Sequence, residues 1–105
     1  MKIAVVTVVA GRHEHLRAQV RGLRGNSVER FDHIVVAMGD NVIADVLART
    51  GATATCVEIP ADGALPLARA RNVGASAAID RGAELLVFLD VDCIPGPGML
   101  ERYRW

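Results

Sequence analysis

The segment LLVFLDVDCIPGPG, Leu85–Gly98, decides how the rest of this chain is read. Five apolar residues, Leu85–Leu89, run directly into Asp90 and Asp92 with one valine between them. A short apolar run without alternation marks a strand buried on both faces of a parallel sheet. Carboxylates do not belong inside such a strand, so they mark the edge where the chain leaves the core. In extended backbone, residues two apart share a face, so both carboxylates are expected side by side at that edge. Like charges placed this way repel unless a cation lies nearby.

Upstream, the same palette recurs with helical patterns between. Ile3–Val9 is a β-branched run and reads as a first buried strand. His13–Leu23 carries Leu16, Val20 and Leu23 at helical spacing, with Gly25-Asn26 as its stop. HIVVAMGD reads as a second strand. Asn41–Arg49 reads as a short helix with Val42, Val46, Ala44 and Leu47 inward, closed by Gly51. ATATCVEIP is a third strand stopped by Pro60, and Leu67–Arg81 is a third helix ended by Gly82. ELLVFLD is the fourth strand. Strands and helices alternating with short connections predict an α/β fold with a doubly wound, mainly parallel four-stranded sheet. The expected strand order is 3-2-1-4.

The 105 residues suffice for one domain, taken as 1–105, and half of them are hydrophobic, enough for a packed core. A formal net charge of zero gives no electrostatic grip on nucleic acid or an anionic membrane. Lys2 is the only lysine, and the many arginines read as coding bias before any phosphate-binding role. MKIAVVTVVAG has a basic residue and an apolar run but no small-x-small cleavage site, and GRHEHLRAQV follows at once. No apolar run is long enough to span a membrane. With Cys56 and Cys93 far apart in sequence and read as reduced thiols, the expected compartment is the cytoplasm.

In open α/β sheets ligands sit beyond the carboxyl ends of the strands, where strand order reverses. If the first strand neighbours the fourth, the turn at Gly11 and the D-x-D segment share one crevice. A hard divalent cation, Mg²⁺ or Mn²⁺, bridged by phosphate oxygens, would then relieve the repulsion of the two aspartates. An isolated D-x-D more often caps a turn and is solvated; its place at the binding edge, before a Pro-Gly turn, favours the ligand site. Arg71 and Asn72 in LARARNVGASAA face the crevice or are solvated helix residues, and the pattern leaves both open. The histidines of His13-Glu14-His15 are two apart, a spacing that does not chelate from a helix. Cys93 reads as a small buried thiol.

AVVTVVAGRHEHLRAQVRGL, HIVVAMGD and LPLARARNVGASAAIDRGAELLVFLDVDCIPGP together resemble the N-terminal half of family 2 glycosyltransferases with the GT-A fold. The most specific part is ARN-x-G followed about fifteen residues later by a strand ending in D-x-D. The resemblance implies that Thr7, Val9, Ala10 and Arg12 line the nucleotide pocket and that Arg71 belongs to it. It implies that Asp90 faces the ribose and that Asp92 holds the metal, Mn²⁺ or Mg²⁺, bridging the diphosphate of a nucleotide-diphosphate sugar. The family's acidic pair after the second strand is replaced by Ala37 and Met38, leaving Asp40 or backbone contacts for the base. The catalytic base of the family lies in a C-terminal half with no counterpart here. The expectation is therefore a donor-binding region truncated before the acceptor half and inactive alone.

Two alternatives stand beside this one. A nucleotide-binding remnant or interaction module without turnover would leave the fourth strand poorly covered, which favours a homodimer. A D-x-D phosphatase of the haloacid dehalogenase type resembles FLDVDCI locally, but it would carry the motif on an early strand and Thr or Val where Ile94 stands.

Overall fold

A computed structural model describes residues 1–25, 31–96 and 98–103. Four strands, β1 (Ile3–Val9), β2 (Phe31–Met38), β3 (Thr55–Ile59) and β4 (Leu85–Phe88), alternate with α1 (His13–Arg24), α2 (Ile43–Thr50) and α3 (Leu67–Asp80). A 3-10 turn, Leu100–Tyr103, follows. Every strand pairing is parallel, and the sheet order is β3-β2-β1-β4. This is the expected doubly wound α/β arrangement. The reversal of strand order falls between β1 and β4, where Ile3 to Val6 pair with Leu85 to Phe88.

The β-branched residues of β1 serve both faces of the sheet. Ala4 and Val6 pack towards α3 with Ile34, Val36, Ala70 and Ala78. Val9 packs towards α1 and α2 with Leu16, Val20, Val35, Ile43, Val46 and Leu47. Ile3 and Val5 join Leu23, Val87, Leu89 and Leu100, so the 3-10 turn closes the core beside β4. Helix α3 lies on β1 and β2 through small residues, Ala70, Gly74 and Ala78, one turn apart. A Cβ on Gly74 would lie 2.5 Å from Val6 Cγ1 and 3.1 Å from Val36 Cγ2, so only glycine permits this approach. Phe88, on edge strand β4, stays half exposed.

Helix α2 departs from the expected inner face. Its first helical residue is Ile43, and the i, i+3, i+4 stripe from there buries Ile43, Val46 and Leu47. Val42 occupies the cap position and is exposed, and Ala44 points outward. Helix α1 ends at Gly25 as expected. Asn26, the other half of that stop, lies outside the described residues, as do Pro97, Arg104 and Trp105 of the tail. Among the described residues no helix is long and apolar enough to cross a membrane.

Candidate functional site at the carboxyl edge of the sheet

Strand β1 ends in a tight turn. Gly11 (φ 62°) and Arg12 (φ 48°) are successive left-handed residues, and Arg12 is the only non-glycine with positive φ among the described residues. A non-glycine there costs free energy and persists where surrounding contacts hold it. Two contacts do so. The Leu16 N–H bonds the Arg12 carbonyl at 3.0 Å, opening α1. The Gly11 N–H bonds Asp40 Oδ2 at 2.9 Å. The turn directs the Arg12 guanidinium across the β1–β4 gap, where Nη1 lies 2.8 Å from Asp92 Oδ1.

Asp40, beyond the end of β2, is a clasp. Besides Gly11 it takes His13 Nε2 at 2.8 Å on Oδ2 and the Val42 N–H at 3.0 Å on Oδ1. It therefore ties the β1–α1 turn to the starts of both α1 and α2. The His13 hydrogen bond, with those from Val42 and Gly11, holds its carboxyl below the usual carboxylate range against partial desolvation. Gly39 makes room for this corner. Its φ is +63°, and a Cβ there would lie 2.9 Å from the Ala61 Cβ. Beside it, a groove of about 460 Å³ opens between the ends of β2 and β3, lined by Gly39, Asp40, Asn41, Glu58, Ile59 and Pro60.

The D-x-D segment is a turn, which corrects the expected extended geometry. Ladder pairing of β4 ends at Phe88, one further bond runs from the Leu89 N–H to the Val6 carbonyl, and Cys93 N–H then closes on the Asp90 carbonyl at 2.9 Å. The rule of two residues per face therefore does not apply to Asp90 and Asp92. Val91 is the anchor between them: it packs against the apolar cluster under α1 and α2, while both aspartates stay exposed. The two carboxylates thus stand clear of the core without sharing a strand face.

A buried polar ladder lies directly beneath the turn. Gln19 of α1 is fully buried and donates from Nε2 to the carbonyls of Asp90 at 2.7 Å and Cys93 at 3.2 Å. With both amide hydrogens engaged, its Oε1 accepts the Thr7 hydroxyl at 2.6 Å. The single Thr7 hydrogen is thereby used, so His33 Nε2–H donates to Thr7 Oγ1 at 3.1 Å, which sets the imidazole tautomer. Burial pushes the His33 pKa from 6.5 down to about 4. Gln19 and His33 had no assigned role in the sequence. Gln19 sits on the apolar stripe of α1 between Leu16 and Leu23, and a polar residue on a buried stripe is the signal that marks it.

The residues expected at the site fall into distinct places. Arg12, Asp40, Asp90 and Asp92 gather on one edge, and Asp92 is the residue that Arg12 reaches. Thr7 and Val9 are buried, with the Thr7 hydroxyl committed to Gln19, and Ala10 packs on the α3 side of the sheet. Arg71 lies on the exposed flank of α3, one residue past buried Ala70, and no hydrogen bond or ion pair among the described residues ties it to Asp90. The glycine of ARN-x-G, Gly74, is accounted for by the close packing of α3 on the sheet. Cys93, expected to be buried, is exposed; its main chain makes the contacts. His13 and His15 diverge as helical spacing requires: His13 meets Asp40, while His15 Nε2 lies 3.8 Å from Asp92 Oδ1.

Among the described residues no group of three or more His, Cys, Asp or Glu side chains converges on one point. That donor set does not make a cage for a resident ion. It fits an ion that arrives with its own oxygen ligands, because Mg²⁺ and Mn²⁺ accept one or two carboxylates together with phosphate oxygens and waters. Asp92 would supply that carboxylate, with Arg12 as the neighbour the ion must share it with or displace. No protein-family model matches the sequence and no curated protein matches it, so the functional reading rests on this crevice and on the motif resemblance.

Proposed function

We propose that this chain is the donor-binding region of a glycosyltransferase of the GT-A type, taking a nucleotide-diphosphate sugar at the β1–β4 crevice. The observation that carries the reading is the Arg12–Asp92 pair at 2.8 Å, a cation and a carboxylate set face to face at the point where strand order reverses. A diphosphate needs cationic partners there, because it departs with the electron pair of the broken sugar–phosphate bond and that developing negative charge must be neutralised. Arg12 supplies one positive charge. Asp92 would hold a divalent ion, which would supply Lewis acidity to the departing diphosphate. Asp90, exposed at the start of the turn, is free among the described residues to accept hydrogen bonds from ribose hydroxyls. The groove beside Asp40 suits the base, since its Asp40 and Glu58 carboxylates repel phosphate and accept N–H donors. From that groove to the β1–β4 gap is two strand spacings, roughly 10 Å, a span that a ribose and two phosphates bridge.

The Arg12 contact also favours a second form, in which arginine alone neutralises the diphosphate and no metal is used. Titration calorimetry with UDP and GDP, with and without Mn²⁺, separates the two. The metal-assisted reading expects tighter binding with Mn²⁺ and loss of that increment in Asp92→Ala. Equal affinity with and without the ion moves the role to Arg12, and no binding under either condition removes the nucleotide reading.

A further inference from the structure

We propose that Gln19 is the positioning residue for the D-x-D turn, holding Asp92 in register with Arg12 from beneath. The inference rests on the reading of the crevice as a metal–diphosphate site. Sheet pairing cannot do this work. Strand β4 is a four-residue edge strand, and its last bond to β1 is made by the Leu89 N–H. Asp92 stands three residues further on. The Gln19 carboxamide spans the first and last residues of the turn, Asp90 and Cys93, through their carbonyls. Its own orientation is fixed from behind by Thr7, and Thr7 by His33. Each hydrogen in this ladder has one acceptor, so the carboxamide cannot flip without leaving two carbonyls unpaired.

A second, independent grip lies one helical turn along the same face of α1. Gly22 is a helix-interior glycine, a choice that weakens a helix relative to alanine. A Cβ there would lie 3.0 Å from both Pro95 Cδ and the Pro95 carbonyl oxygen, and 3.1 Å from Ile94 Cγ2. Helix α1 therefore holds the segment after β4 twice, by hydrogen bonding at Gln19 and by close contact at Gly22. Gln19 itself is fully buried beneath the turn. It acts on Asp92 through the turn.

The test uses Gln19→Met, which keeps length and removes the donors, and Gln19→Glu, which keeps shape and makes the donor titratable. Amide hydrogen exchange is read at Cys93, with Val5 and Val35 reporting the core. In Gln19→Met, exchange at Cys93 is expected to rise at least tenfold with Val5 and Val35 unchanged. Unchanged exchange at Cys93, or an equal rise at all three, overturns a positioning role. Calorimetry of UDP with Mn²⁺ supplies the functional arm. In Gln19→Glu the introduced carboxyl donates one hydrogen bond when protonated and repels both carbonyls when ionised. The ratio of variant to wild-type affinity should fall at least tenfold between pH 6 and pH 8.5; a ratio constant with pH overturns the proposal. If the wild type binds no nucleotide, the donor-site reading fails on its own, and the exchange data still decide whether Gln19 holds the turn.

Discussion

Acidification should loosen this protein from within, through His33. The imidazole is 8% exposed, and burial takes its pKa from 6.5 to about 4. The unfolded chain therefore binds a proton at a pH where the folded chain does not, and stability falls as the solution is acidified through that window. The contribution is complete above about pH 6.5 and is lost by about pH 4. A displacement of this size corresponds to roughly 3 kcal/mol, a large part of the 5–15 kcal/mol typical of a domain. Asp40 does not blur the window, because its lowered pKa places its own loss below the ordinary carboxylate range. Urea unfolding at half-unit steps from pH 7.5 to pH 4 measures the effect. His33→Gln retains an N–H for Thr7 but cannot titrate, so its stability should fall by about 3 kcal/mol less than that of the wild type over this range. Parallel profiles for the two proteins would refute the assignment of the buried neutral histidine.

Two further outcomes follow from backbone and packing geometry. Gly74→Ala gains about 1 kcal/mol of helix propensity but places a Cβ 2.5 Å from Val6 Cγ1. With overpacking costing about 1–3 kcal/mol, a net loss is expected in thermal unfolding, reduced when Val6→Ala is combined with it; a more stable Gly74→Ala would contradict the close approach of α3. Arg12→Gly and Arg12→Ala both remove the contact with Asp92, but only glycine relieves the φ of 48°. The glycine variant should be the more stable of the two by about 1 kcal/mol in urea unfolding, and equal stabilities would argue against strain at this turn.

The fold was legible because its two central strands, β1 and β2, are buried on both faces, and the edge strand β4 is apolar in sequence although Phe88 is half exposed. Ile3–Val9, Ile34–Met38 and Leu85–Leu89 admit few polar residues, and the helical patterns between them leave little room for another topology. What escaped was set by tertiary contact. Val42 and Ala44 fit an inward stripe on paper, but α2 starts at Ile43, two residues after the expected Asn41. Asp90 and Asp92 were legible as carboxylates at the binding edge, while their geometry depended on where β4 stops pairing, which apolar content alone does not report. Gly74, the glycine of the ARN-x-G pattern, is a packing device against Val6 and Val36. Gln19, Thr7 and His33 come from three different elements, and no local pattern announces that their side chains meet in line under a turn seventy residues downstream.

The central claim is that a divalent ion and a diphosphate meet at the β1–β4 crevice. Paramagnetic broadening of amide signals by substoichiometric Mn²⁺ reads this position directly. With UDP or GDP present, the signals of Gly11, Arg12, Asp92 and Cys93 should broaden first, and without nucleotide they should broaden little, because the described side chains form no cage for the ion. Broadening centred instead on Asp40, Glu58 and Asn41, or the same pattern with and without nucleotide, would contradict the account.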